Sequence, residues 1–141
     1  MVFGIRNSKL FILIQENVDI THLSGYQIPA RARYYFEYTG EDDVADLIEV
    51  CGFAKDQKLP ILVLAGGTNM LIAFEEDPGV VIHNTSSLYD LEDKMLYAQS
   101  GCSIWDIATE LEKEHGIDLW HRFIGLPGSI GGAIYGNAGC F

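Results

Sequence analysis

Cysteine is scarce and poorly spaced for chemistry. The chain has three, Cys51, Cys102 and Cys140, and no Cys-x-x-Cys pair. An odd, scattered set argues against a disulfide framework and offers no zinc spacing. Reduced thiols, as in a cytosolic protein, are the expectation. The four histidines (His22, His83, His115, His121) are equally dispersed, so no metal site is expected. Cations are short too: nine Lys and Arg stand against twenty Asp and Glu, a formal net charge of −11. That balance argues against a nucleic-acid partner, which needs a basic face. It leaves room for a small phosphate ligand, because a nest of backbone N–H groups can hold an anion without a cationic side chain. Long hydrophobic runs are also missing. Arg6 and Lys9 precede the apolar run Leu10-Phe11-Ile12-Leu13-Ile14, as in a signal peptide, but Gln15, Glu16 and Asn17 end it. A secretory core needs about 7–15 apolar residues and a transmembrane helix about 20. A cytoplasmic protein with no membrane partner is expected.

What is present is the make-up of a folded domain. At 141 residues, 48% apolar and 21% charged, the chain can build one domain with a real core and is too short for two. Residues 1–20 carry weak signals, with Leu10–Ile14 a short strand or a lead-in. Arg33–Tyr38 (RYYFEY) is aromatic-rich and reads as a strand, broken by Thr39-Gly40. A helix should follow with an acidic first turn from Thr39 or Glu41. Its apolar stripe is expected at Val44, Leu47, Ile48 and Cys51, and its end near Lys58, ahead of Pro60. Ile61–Ala65 is a continuous apolar run, as in a strand covered on both faces. Gly79–Asn84 and Met95–Ser100 read as further strands, separated by an acidic turn region at Asp90–Asp93. Ser103 is a helix N-cap, and Asp106, three residues on, is placed to answer it in the manner of a capping box. Ile104, Ile107, Ala108 and Leu111 form the buried stripe of that helix, and Gly116 stops it. The order is α+β, a mixed α/β pattern.

Two glycine-rich loops stand out. AGGTNML, from Ala65 to Leu71, follows the buried strand directly. Gly66 and Gly67 allow a sharp turn with positive φ. Thr68 and Asn69 add side-chain donors, and the N–H groups of Gly67, Thr68, Asn69 and Met70 are placed to converge on an anion. The loop is neither GxGxxG nor a Walker loop, and taken alone it reads first as a tight turn between two strands. The second loop, GLPGSIGGAIYGNAG, runs from Gly125 to Gly139. Pro127 fixes one φ angle, and Gly128-Ser129 are placed to open a short helix with its N–H groups toward phosphate. Gly131 and Gly132 remove bulk where a flat ring or a diphosphate would lie. Ile130, Ala133 and Ile134 interleave the glycines with apolar contacts, unlike a flexible linker.

Taken together, ILVLAGGTNMLI and GLPGSIGGAIYGNAG resemble the UDP-N-acetylenolpyruvoylglucosamine reductase family, whose members show a G-G-S-N-L-L loop and a G-I-P-G-S-V-G-G-A…N-A-G-A-Y segment. Thr68 stands for the usual Ser, and Leu126 for Ile. The likeness covers roughly residues 20–141, including Ser103–His115 and the ARYYF stretch. It implies an FAD-binding domain of the vanillyl-alcohol-oxidase (PCMH) type over residues 21–141, after a lead-in at 1–20. It implies non-covalent FAD, with a diphosphate cradle at Gly66, Gly67, Thr68, Asn69, Met70 and Leu71. A second wall would be Pro127, Gly128, Ser129, Ile130, Gly131, Gly132 and Ala133, with Asn137, Ala138 and Gly139 nearby. The family's activity is NADPH-dependent reduction of a nucleotide sugar, UDP-N-acetylenolpyruvoylglucosamine, to UDP-N-acetylmuramate, in peptidoglycan synthesis for cell shape and division. Its members are expected to be monomers when full length.

The sequence departs from the family pattern in places. Pro29-Ala30, in SGYQIPARARYY, occupies a usual Gly-Gly, and His121 replaces a frequent acidic residue. Family members run about twice as long, so the domain is expected to be incomplete at its C-terminus and the substrate-binding domain to be absent. The family's proton-donating Ser, its Arg in a Tyr-Arg-x-Ser motif and its late Glu would lie beyond Phe141. No Tyr-Arg-x-Ser occurs here, so no catalytic residue is assigned, and the chain alone is expected to lack reductase activity. Two rivals stay open. One is an oxygen-using flavin oxidase of the same fold, although AGGTNML has no His or Cys for covalent flavin. The other is a non-catalytic flavin-binding or interaction module.

Overall fold

The computed structural model describes residues 13–139. The run at Leu10–Ile14 therefore lies mostly outside the described residues. The polar stretch Gln15–Asp19, which carries no strand signal, forms β1 and pairs antiparallel with β2, Arg31–Tyr38. The aromatic strand thus begins two residues before RYYFEY. A helix, α1, spans Val44–Asp56, followed by β3 at Ile61–Leu64 and β4 at Glu76–Asn84. The four strands make one sheet in the order β1-β2-β4-β3, with β4 parallel to both β2 and β3.

Alternation along the strands sorts the core into two layers. On one face Phe36, Val80 and Ile82 pack with Val50 and Ala54 of α1. On the other, Ala32, Tyr35, Leu64 and Val81 pack with Ile20, Leu23, Ala30 and Ile72 from the connecting loops.

Two expectations need correction here. The buried side of α1 centres on Val50 and Ala54, with Leu47 and Cys51 beside them, while Ile48 is 66% exposed. The i, i+3, i+4, i+7 spacing that starts at Val44 also fits a start at Leu47, and the sheet selects the second. Nor is β3 covered on both faces, because Ile61 and Val63 are 42% and 61% exposed. These two share the α1 face with Val80 and Ile82 through the strand register. Since β3 ends the sheet, α1 covers β2 and β4 and leaves that side of β3 bare.

The second region is a hairpin, β5 (Tyr89–Glu92) and β6 (Met95–Ala98). Most of the expected acidic turn is therefore strand. The turn itself is Asp93-Lys94, with φ of 45° and 70°, as a two-residue hairpin loop requires. Helix α2, Ile104–His115, covers the inner face of the hairpin. Its cap, stripe and stop hold: Ser103 Oγ accepts the Asp106 N–H at 3.2 Å, the expected stripe is buried, and Gly116 takes φ 66°. The return bond of a capping box, from Ser103 N–H to the Asp106 carboxylate, does not form among the described residues. A 3-10 segment, Asp118–Phe123, then leads to a short α3, Ile130–Tyr135.

Candidate functional site

The first glycine loop leaves the carboxyl end of β3. Gly67 is left-handed, with φ 60°. A methyl group on it would lie 1.8 Å from the Leu23 carbonyl oxygen, so only glycine fits. The loop is tied down from below: Gly25 N–H donates to Gly67 C=O at 3.3 Å, and the buried Ser24 Oγ donates to Met70 C=O at 2.6 Å. Within the loop, Met70 N–H donates back to Gly67 C=O. The N–H groups of Thr68 and Asn69 donate to none of the described residues.

The second loop is held by the start of α2. Gly128 C=O accepts the Ile104 N–H at 3.1 Å, Cys102 C=O accepts Ile130 N–H at 2.9 Å, and Ser100 C=O accepts Gly131 N–H at 2.7 Å. Ser129 is the N-cap of α3, and its Oγ accepts Gly132 N–H at 3.1 Å. The sequence alone points the first-turn amides of this helix at a phosphate. In the structure those of Ile130, Gly131 and Gly132 are already engaged by the chain. The amides of Gly128 and Ser129, just ahead of the helix, donate to none of the described residues.

The two loops meet. A methyl group on Gly66 would lie 3.4 Å from Gly128 Cα and 3.9 Å from Ser129 N, and one on Gly128 would lie 3.1 Å from Thr68 Oγ1. Gly66 through Asn69 and Gly128 through Ser129 thus form one ledge of bare peptide. Neither loop carries a charged side chain, so attraction for an anion there comes from amide dipoles and hydroxyls. This donor set fits a diphosphate bridge, whose oxygens accept several N–H groups at once.

Other candidates sit around the ledge. Met70 packs into the core cluster under the sheet, Leu71 is exposed, and Ile130 packs against the α2 cluster. Asn137, Ala138 and Gly139 close α3. Asn137 has φ 47°, and the bonds Ala138 N–H to Ala133 C=O and Asn137 N–H to Ile134 C=O make a Schellman cap. Asn there suits the left-handed position. Among the described residues no hydrogen bond joins this cap to the first loop. Pro127 is exposed at the rim.

Two concavities lie elsewhere. One of about 510 Å³ is lined by Asp19, Thr21, Ile28, Pro29, Ala30, Arg31 and Glu75, and one of about 300 Å³ by Tyr89, Asp90, Leu91, Glu110, Leu111 and His115. Pro29-Ala30 borders the first, at the opposite end of β2 from the glycine loops. His121, the other departure, binds Glu112 Oε2 through Nδ1 at 2.7 Å, and this contact raises its pKa. Among the described residues no group of His, Cys, Asp and Glu is placed to hold a metal, and no helix is long and apolar enough to cross a membrane.

Sequence reasoning missed the supports. Ser24 and Ser100 lie far along the chain from the loops they hold. The Ser24-Gly25 pair is an ordinary turn signal that says nothing of its partner.

A mixed sheet whose parallel strand β3 feeds one glycine loop, met by a second glycine loop at a helix start, sets bare backbone amides where the phosphates of a dinucleotide can be held. Residues 40–141 match the family described as FAD binding domain, and the chain belongs to that family. More particularly, it is similar to the UDP-N-acetylenolpyruvoylglucosamine reductase of Gloeobacter violaceus, 34% identical over 129 residues, or 89% of this chain and 42% of the relative. The fold matches the crystal structure of UDP-N-acetylenolpyruvylglucosamine reductase (MurB) from Thermus caldophilus with a TM-score of 0.66 at 21% identity, over 89% of this chain and 43% of that one. It also matches CrmK, a flavoenzyme of caerulomycin biosynthesis, with a TM-score of 0.55 at 18% identity, over 70% and 20%. The chain spans about two fifths of the length of the curated relatives it matches.

Proposed function

We propose that this chain forms the diphosphate-binding wall of an FAD-dependent UDP-N-acetylenolpyruvoylglucosamine reductase. The observation that carries the reading is the contact of Gly66 with Gly128, which sets the free amides of Thr68, Asn69, Gly128 and Ser129 on one ledge. Gly66 to Leu71 would make the first wall and Pro127 to Ala133 the second, with Asn137 to Gly139 fixing the end of α3. FAD bound there would supply the redox-active ring for hydride transfer. The chain's own part is to hold the cofactor through backbone donors. In the whole enzyme the reductant would be NADPH and the substrate a nucleotide sugar, in a cytoplasmic monomer. The named relatives support this, as does a net charge of −11 that disfavours nucleic acid.

The test is an FAD titration of the 141-residue chain, followed by flavin fluorescence. Weak binding is expected, with a Kd above about 1 μM, and acid precipitation should release all of the flavin. Substituting Gly128→Val fills the ledge and should abolish binding. Binding undiminished in Gly66→Val and Gly128→Val would sink the reading, as would turnover of UDP-N-acetylenolpyruvoylglucosamine by a chain that binds no FAD.

A further inference from the structure

The last residue of β4 reaches the support of the second loop. Asn84 Nδ2 donates to Ser100 Oγ at 2.8 Å. Its Oδ1 accepts the Ser86 N–H at 3.1 Å and the Ser86 O–H at 2.7 Å. Ser86 Oγ in turn accepts the Gly101 N–H at 3.2 Å. Ser100 C=O then holds Gly131 N–H at 2.7 Å. One carboxamide therefore links the end of β4, the turn ahead of α2 and the first turn of α3. The junction is tight: a methyl group on Gly101 would lie 2.4 Å from the Ser86 carbonyl oxygen, and one on Gly131 would lie 2.8 Å from Ser100 Cβ. Ser86 is 1% exposed. On the other side, β4 carries β3 in register, with Leu64 opposite His83, and β3 delivers the first loop.

We propose that Asn84 is a positioning residue of the dinucleotide site: through Ser100 and Gly131 it sets the second glycine loop against the first. The proposal rests on the flavin-binding reading above. Among the described residues Asn84 makes no hydrogen bond to either glycine loop, so its effect on binding must travel through Ser100.

The experiment uses the 141-residue chain with two readouts, amide hydrogen exchange at Gly131 without ligand, and titration with FAD and ADP. Ser100→Ala is the cleanest variant. It keeps the Cβ that faces Gly131 and leaves Ser86 bonded to Asn84. Losing one hydrogen bond should speed exchange at Gly131, and weaken FAD and ADP binding, by about fivefold. Asn84→Ala, which also strands the buried Ser86, should exceed about tenfold. Asn84→Asp should stay within about twofold of the parent, because a carboxylate accepts from Ser86 and from the Ser100 hydroxyl. A merely structural role would not be rescued selectively in this way. Unchanged Gly131 exchange in both Ser100→Ala and Asn84→Ala overturns the proposal whatever the ligands do. So does faster exchange with unaltered FAD and ADP affinity. If the parent chain binds neither ligand, it is the flavin reading that falls for this chain, and the exchange result alone decides whether Asn84 positions the loop.

Discussion

The two glycine loops look alike in sequence, yet they are built on different foundations. The first hangs from the sheet: β3 delivers it, and Leu23, Ser24 and Gly25 clamp it from below. The second hangs from a helix start, pinned to Ser100, Cys102 and Ile104. In both, glycine serves the chain more than the ligand. Gly67 is required by Leu23, and Gly131 by Ser100. The amides left for a ligand belong mainly to neighbours with side chains, Thr68, Asn69 and Ser129. A glycine-rich motif can therefore mark a binding loop without its glycines being the binding groups. They let the loop fold tightly enough for the next residues to point outward.

The strongest way to break this comparison is at the left-handed glycines. Gly67 and Gly116 share nearly the same φ, 60° and 66°, but a methyl group on Gly116 meets nothing within 4 Å. Gly116→Ala should lose only the conformational term, about 1 kcal/mol. Gly67→Ala adds a clash with backbone and should lose about 3 kcal/mol or more, with flavin binding gone. Urea denaturation of both variants checks this. Equal losses would mean that Leu23 yields and that the first loop is not clamped.

Next in size is Gly131→Ala in the second loop. Its φ is ordinary, so only the contact with Ser100 is at stake, at 2.8–2.9 Å. Overpacking of that kind is worth about 1–3 kcal/mol. A loss near zero would show that the Ser100 turn gives way, and that the second loop is the softer of the two.

The helix caps come third. Ser103 and Ser129 each accept an N–H in the third helical position, at 3.2 Å and 3.1 Å. Each alanine replacement should lower stability by about 1 kcal/mol. Only Ser129→Ala should also weaken FAD, because its cap fixes the peptide that joins Gly128 to α3.

The same contrast explains what the sequence could reveal. Helix α2 was legible because its signals are local: a cap, a stripe and a stop within fourteen residues, Ser103 to Gly116. Both glycine loops were legible for a similar reason. Strand β1 was not, since Gln15–Asp19 is a polar edge strand with little burial to pattern it. Nor was β5, whose acidic residues face solvent while Tyr89 and Leu91 turn inward. The face of α1 was ambiguous until the sheet chose between two overlapping stripes. Distance along the chain hid the rest of the site. Ser24 reaches Met70 across 46 positions, and no periodicity encodes such a meeting.

The smallest expected effects distinguish the two regions by the sign of their pH response. In the sheet region, burial holds the pKa of His83 below its ordinary value, while Tyr35 hydrogen-bonds its Nδ1 at 2.8 Å. Glu37 pulls the pKa up and His22 pushes it down, both less strongly than burial. A histidine that is neutral in the fold contributes fully above the ordinary value of 6.5. That contribution is lost as pH falls through the lower folded value. In the second region the Glu112 carboxylate bonded to His121 raises its pKa, with Asp118 adding a weaker pull. Its contribution is full below 6.5 and is lost as pH rises through the higher folded value. The His121 effect is small, because its pair faces solvent. His83→Gln should flatten the acid limb of the stability profile, and His121→Gln the limb above neutrality. NMR titration of the ring protons reads the two sites separately. If both rings titrate together at the value of free histidine, the electrostatic difference between the sheet region and the helix region does not exist.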